Sequence, residues 1–236
     1  MMAAHGEGLS GRELAVACVS GGMDSCVTAA LAAREHRLAF LHASYGQRTE
    51  SRELRCFHAL ARHFAAERTL VVDLSALRAI GGSSLTDHAI PVREGAPVQG
   101  VVPTSYVPFR NAHLLAAATS WAEMLGAGAI FVGAVWEDSS GYPDCRPEFY
   151  RAYEEAIRLG TRPETRIRIA TPVIGMSKAQ IVRAGLDLGA PFEETWSCYQ
   201  DEELACGRCE SCRLRLQGFA EAGARDPIGY RAATSP

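Results

Sequence analysis

Six consecutive residues, Ser20-Gly21-Gly22-Met23-Asp24-Ser25, combine the groups that a bound phosphate needs. The two glycines let the backbone turn sharply and approach a ligand with no side chain in the way. With a helix starting here, its first N–H groups and its dipole favour an anion. The Ser20 and Ser25 hydroxyls add donors, and Asp24 offers hard carboxylate oxygens suited to the Mg²⁺ that accompanies a nucleoside triphosphate. The lysine of a Walker A loop is missing. A Ser-Gly-Gly triplet alone reads as an ordinary strand-to-helix turn; the whole hexapeptide reads as a phosphate loop.

A cation for the same phosphates stands far along the chain. Thr171-Pro172-Val173-Ile174-Gly175-Met176-Ser177-Lys178 predicts a strand giving way to a helix with a lysine in its first turn. A helix start is an unfavourable place for a cation. An anionic ligand there would remove the penalty; a solvated surface lysine is the alternative. Beyond it, Cys198, Cys206, Cys209 and Cys212 form C-x7-C-x2-C-x2-C. Four thiolates can close a tetrahedral Zn²⁺ site that leaves no position for substrate, hence a structural one. An iron–sulfur cluster is the rival, because C-x2-C-x2-C also occurs in ferredoxin-type sites. Cys18, Cys26 and Cys56 sit in apolar segments and read as core.

Positioning these groups falls to alternating strands and helices. Strands are predicted over Leu14 to Val19, Leu38 to Ser44, Thr69 to Asp73, Ala129 to Val135 and Ile167 to Thr171. Helices are predicted over Ser25 to Arg34, Glu50 to Ala66, Asn111 to Leu125, Pro147 to Leu159, and Ser177 to Leu188, the last capped by Ser177 and closed near Gly189. Leu54, Phe57, Leu60 and Phe64 form the apolar stripe of the second helix. Gly81 to Pro108 lacks periodicity, and a loop this long is usually functional. The pattern implies an α/β, doubly wound, mainly parallel sheet with helices on both faces. Ligands of such sheets sit beyond the carboxyl ends of the strands, where Ser20, Tyr45 and Trp136 should converge.

A chain of 236 residues with 47% hydrophobic content fits one globular domain with a sizeable core. A net charge of −3 argues against sequence-independent binding to nucleic acid, though not against a small nucleotide. No apolar run approaches bilayer length, and Met1 to Arg12 lacks the charged and apolar regions of a signal peptide. A soluble cytoplasmic protein is therefore expected, in which the eight cysteines are ligands, reactive groups or core rather than disulfides.

The hexapeptide resembles the SGGxDS signature of the PP-loop (N-type ATP pyrophosphatase) superfamily, whose members bind the β,γ-pyrophosphate of ATP. More specific strings are Tyr45-Gly46-Gln47-Arg48, Ser83-Ser84-Leu85-Thr86, Ile90-Pro91-Val92, Val107-Pro108-Phe109-Arg110-Asn111, Ser140-Gly141-Tyr142-Pro143-Asp144-Cys145-Arg146 and Gly218-Phe219-Ala220. With the tail cysteines they are similar to the 7-cyano-7-deazaguanine synthase family, from about Val16 to Tyr230. The resemblance implies an adenine nucleotide alpha hydrolase-like fold, with an ATP-binding catalytic domain over 12–190 and a zinc-binding segment over 191–236 packed on it. It implies an ATP-dependent carbon–nitrogen ligase of queuosine biosynthesis that adenylates 7-carboxy-7-deazaguanine. Ammonia then gives the amide, and a second ATP drives elimination to the nitrile, with AMP and pyrophosphate released. One Zn²⁺ per chain, Mg²⁺ and a homodimer are implied with it.

The resemblance places Ser20 to Ser25, Tyr45, Gly46, Gln47 and Lys178 at ATP, with Asp24, Lys178 and Arg110 catalytic. It places Arg110, Asn111, Tyr142, Asp144 and Arg146 at the substrate. Arg110 suits a carboxylate or phosphate because its planar fork binds both. Asn111 either caps the following helix or binds the base. Asp144, Glu137 and Asp138 either contact substrate or metal or, for the aspartates, form turns. Cys145 is disfavoured as a nucleophile, since adenylation needs none. Two residues depart from the family's usual pattern: Ser44 stands where it has Asp, and Phe109 where it has Gly. One rival function keeps the adenylation but transfers the acid to a protein amine, as antiviral relatives are thought to do. A tRNA thiolase on the same fold is more distant, for want of a basic appendage. A zinc-stapled nucleotide-binding scaffold is the non-enzymatic alternative.

Overall fold

Leu14–Cys18 (β1) is an unbroken apolar run because both its faces and both its edges are covered. It pairs in parallel with Arg37–Ser44 (β2) on one side and Ala129–Val132 (β4) on the other, with Ala17 opposite both Phe40 and Phe131. Arg68–Asp73 (β3) and Arg168–Ala170 (β5) complete a five-stranded parallel sheet of order β3-β2-β1-β4-β5. The order reverses between β1 and β4, which opens a crevice at their carboxyl ends. The computed structural model describes residues 11–95, 98, 100–136 and 141–231. Glu137, Asp138 and Ser140 lie outside them.

Alternate strand residues face opposite sides of the sheet, and each side has its own core. Ala15, Ala17, Phe40 and Phe131 pack under Met23–Ala32 (α1), Glu50–His63 (α2), Lys178–Asp187 and Glu210–Glu221, through Val27, Phe57, Ile181 and Phe219. Val16, Cys18, Leu41 and Ile130 pack under Arg110–Leu125 and Pro147–Gly160, through Leu115, Ala118 and Ile157. In chain order these are α4 (Arg110–Leu125), α5 (Pro147–Gly160), α6 (Lys178–Asp187) and α7 (Glu210–Glu221), after the short α3 (Ala76–Ile80). The doubly wound architecture read from the sequence is the one observed.

The predicted ends shift where local chemistry intervenes. Helix α1 begins at Met23, because Gly22 already has extended N-cap geometry (φ −85°, ψ 165°). Strand β4 stops at Val132, and 133–135 leave the ladder for the crevice. Ser177 caps α6 as expected, in a full capping box with Gln180. The stretch before α4 is pinned by Arg48, whose guanidinium donates to the carbonyls of Ser84, Asp87 and Ile90 at 2.6, 2.9 and 2.9 Å.

The cysteine-rich tail contributes a helix of its own, α7. Helix α7 carries Phe219 into the main core, edge-on to Phe192 with ring centroids 5.2 Å apart. It also carries Arg215, only 1% exposed. Gly218 lets α7 press against α6: a Cβ there would stand 2.7 Å from Cβ of Lys178. Burial of α7 therefore anchors this segment to the core independently of its cysteines.

Candidate active site

The crevice at the reversal of strand order is a cavity of about 260 Å³. Ser20, Gly22, Asp24 and Ser25 wall it from the β1–α1 loop, Tyr45 from the end of β2, and 133–135 from the end of β4. Helices α2, α4 and α6 add Glu53, Arg110 with Asn111, and Lys178. The tail closes it with Trp196, Ser197 and Tyr199.

The phosphate loop is held by close packing and by its own hydrogen bonds. Gly21 adopts φ 86°, and a Cβ on it would lie 2.7 Å from the backbone oxygen of Glu53, so only glycine fits between loop and α2. The carbonyl of Gly21 accepts from Trp196 N at 2.8 Å, tying the tail to the loop. Ser20 Oγ accepts from Gly22 N at 3.2 Å and donates to Ser25 Oγ at 3.3 Å; Ser25 Oγ donates to Gly22 O at 2.9 Å. Lys178 Nζ donates to Asp24 Oδ2 at 2.6 Å across the start of α1. Asp24 Oδ1 is buried with no hydrogen-bond partner. The Asp24 carboxylate, itself favourably placed in the first turn of α1, thus offsets the penalty of a lysine in the first turn of α6.

Arg110 bridges the aromatic wall. Its Nη1 donates to Tyr45 Oη at 3.0 Å, and its guanidinium lies 5.4 and 5.9 Å from the Tyr45 and Tyr142 ring centres. Burial pushes the Tyr45 hydroxyl up to about 12, so it stays a neutral phenol. Asn111 faces the cavity, but its Nδ2 donates to Asp144 O at 3.0 Å and also reaches Cys145 Sγ and Tyr150 Oη, both at 3.4 Å. The cap of α4 comes from elsewhere. Asp144 Oδ2 accepts from Asn111 N at 2.9 Å, because Phe109 at the N-cap position provides no side-chain bond. Burial raises the Asp144 carboxyl and pushes the Cys145 thiol up to about 11.

Other predicted residues stand back from the cavity. Gln47 is buried and positions its neighbours: Oε1 accepts from Tyr45 N at 2.9 Å and Nε2 donates to Glu53 Oε2 at 3.0 Å. Gly46 N donates to Glu50 Oε2 at 3.0 Å. Arg146 lies over the Trp136 ring at 5.7 Å, and Trp136 is not in the cavity wall. Phe109, 56% exposed, packs edge-on to His113 and Phe149 and does not line the cavity either.

Glu53 is one of the lining residues, with Trp196, Tyr199 and Arg215, that the sequence reading passed over. It sits on α2, whose period marks it as one more solvated charge beside the apolar stripe. Burial pushes its carboxyl up to about 7, against the opposing pull of Gln47 and Thr49 donors.

The four tail cysteines converge. Their sulfur atoms all lie within 4.8 Å of one another and all four residues are buried. Backbone N–H groups of Gln200 and Cys206 point at Cys198 Sγ, and those of Arg208 and Cys209 at Cys206 Sγ, at 3.3–3.4 Å. Such donors stabilise thiolates that ligate a metal.

Similar proteins cover nearly the whole chain. The 7-cyano-7-deazaguanine synthase of Chlorobium luteolum is 57% identical over 92% of this chain and 96% of its own. That of Acidobacterium capsulatum is 55% identical over 93% and 97%. Among solved structures, the NAD+ synthetase from Burkholderia pseudomallei aligns with a TM-score of 0.46 at 14% identity, over 92% of this chain and 76% of that one. The sequence pattern of the queuosine biosynthesis protein QueC family matches residues 14–223, and this chain belongs to that family.

Proposed function

We propose that this chain condenses 7-carboxy-7-deazaguanine with ammonia, through the amide, to 7-cyano-7-deazaguanine, with ATP converted to AMP and pyrophosphate. One observation carries the reading. A phosphate loop with its Asp24–Lys178 pair and an Arg110–Tyr45 wall line one cavity. Adenylation needs that juxtaposition, because the carboxylate must meet the α-phosphate while the departing pyrophosphate is held. In this reading the 20–25 loop holds the β,γ-phosphates and Lys178 takes up charge as pyrophosphate leaves. The orphaned Oδ1 of Asp24 fits Mg²⁺, which neutralises phosphate charge when bound. Arg110 orients the carboxyl group, and the tail lid of Trp196 and Tyr199 keeps water from the acyl adenylate.

The sulfur cage supports zinc over an iron–sulfur cluster. A tetrahedron with Zn–S bonds of about 2.3 Å has edges of about 3.8 Å, and Cys206 Sγ lies 3.9 Å from Cys212 Sγ. A cluster with its own inorganic core would need a wider cage. In this reading the segment over 191–236 is a metal-held wall on the catalytic core over 12–190. The enzyme works as a homodimer in the cytoplasm; among the described residues, no helix is long and apolar enough to cross a membrane.

The test is a time course of purified protein with ATP, the acid and ammonium, read by mass spectrometry. Acid should pass through amide to nitrile, with AMP and pyrophosphate in step. ADP and phosphate as sole products, or an amide that is never consumed, would overturn the assignment. An adduct formed only when a partner protein is added would replace it with transfer to a protein amine.

A further inference from the structure

Among the described residues lining the cavity, Glu53 is the only carboxylate besides Asp24. Its position is fixed from two sides. The bare Cα of Gly21 lets the phosphate loop rest against the Glu53 backbone. Gln47 Nε2 donates to Oε2 at 3.0 Å and Thr49 Oγ1 to Oε1 at 2.9 Å, one donor on each oxygen. Gln47 is itself held by Tyr45 N, so the strand-end turn that places Tyr45 also sets the plane of the carboxylate. A carboxylate has about four acceptor positions; two are taken by Gln47 and Thr49, which leaves capacity on both oxygens. Burial holds its pKa near 7, the mark of a carboxylate whose lost hydration is only partly replaced.

The substrate assigned above presents the complementary group. The pyrimidine edge of a deazaguanine carries a ring N–H beside an exocyclic amine, two parallel donors at the spacing of two carboxylate oxygens. We infer that Glu53 is the specificity-determining residue that reads this edge by a bidentate contact, and the inference rests on the proposed substrate. The arrangement selects against bases that place a ring acceptor at that position, because the carboxylate would then face a lone pair. Gln47 and Thr49 are its positioning residues. Glu53 and the phosphate loop line the same cavity, so a base held at α2 keeps its acid within the site that binds ATP.

The test is calorimetric titration of the full-length protein with 7-carboxy-7-deazaguanine and with its analogue lacking the exocyclic amine. In the wild type the analogue should bind about 10- to 100-fold more weakly, the effect of one lost hydrogen bond to a charged group. In Glu53→Gln the parent acid should weaken to a similar degree, and the parent–analogue difference should shrink to about threefold or less. ATP affinity should stay within about twofold of wild type, since the contact is made to the base alone. Equal binding of acid and analogue by the wild type overturns the inference without any variant. So does a Glu53→Gln protein that keeps both affinities but loses turnover and its pH dependence, which would make Glu53 a proton acceptor instead. If the wild type binds ATP yet takes neither acid nor analogue, the substrate reading falls and this inference with it.

Discussion

Two ion pairs border the same cavity and differ in almost every respect. Arg215 Nε and Nη2 donate to Asp226 Oδ2 and Oδ1, at 2.8 and 2.9 Å, with side chains 1% and 4% exposed. Every remaining capacity is used: Arg215 also donates to Thr195 Oγ1 and Phe192 O, and Asp226 accepts from Tyr230 Oη at 2.6 Å. Lys178 and Asp24 meet through one contact at 2.6 Å, with side chains 12% and 27% exposed, and one Asp24 oxygen is buried without a partner. A saturated pair is finished; it holds α7 and the tail to the core. The second pair leaves one Asp24 oxygen unbonded within the phosphate loop, the acceptor capacity that the proposed Mg²⁺ would take up.

Removing one partner of the saturated pair should have the largest effect on stability. Asp226→Ala leaves a buried guanidinium without its counter-ion, which should cost about 3–5 kcal/mol. Urea unfolding followed by circular dichroism reads it as a lower midpoint, and a loss under about 1 kcal/mol would mean that the pair is replaceable by water. Asp24→Asn should behave in the opposite sense. Its stability should change by less than about 1 kcal/mol, because the pair is partly open to solvent. Its turnover should fall on the order of a hundredfold through loss of charge at the phosphates. An Asp24→Asn protein as unstable as Asp226→Ala would erase the distinction between the two pairs.

The same division explains which parts of the molecule were readable in one dimension. The phosphate loop and the four cysteines are contiguous or closely spaced, so residue type and spacing carry their chemistry, and the sulfur atoms duly converge. Strands and major helices were readable because apolar period reports burial, although β4 ends early where 133–135 turn to wall the cavity. Glu53 was hidden because a glutamate beside the stripe of α2 looks like any solvated charge; only the approach of Gly21 and Gln47 makes it a cavity residue. Arg215 was hidden for the same reason: a tail rich in charge reads as exposed until its helix docks. Asp144 caps α4 from thirty-three residues away, a contact that no local pattern encodes.

Phe109 borders the site without belonging to it. Its backbone lies in the left-handed region at φ 57°, ψ 24°, a conformation that costs a residue with a Cβ about 1–2 kcal/mol. The ring turns away from the cavity toward His113 and Phe149, so bulk beside Arg110 does not crowd the substrate. Some of the strain is offset by those edge-on contacts, and some by Phe109 N donating to Tyr106 Oη at 2.9 Å. Two substitutions separate these terms. Phe109→Ala discards the ring contacts and keeps the Cβ penalty, whereas Phe109→Gly discards both. At an ordinary backbone position alanine would be the more stable of the two by about 0.4–1 kcal/mol, because glycine gains more freedom on unfolding. Here the order should invert, with Phe109→Gly more stable than Phe109→Ala by about 1 kcal/mol. Thermal unfolding of the two variants side by side measures it, and an alanine variant that melts higher would show that the left-handed turn relaxes. Turnover should stay within about threefold of wild type in both, as expected of a surface change away from the reacting groups. A larger fall in Phe109→Gly than in Phe109→Ala would mean that the start of α4, and Arg110 with it, is held in place by the strained residue rather than by Asp144.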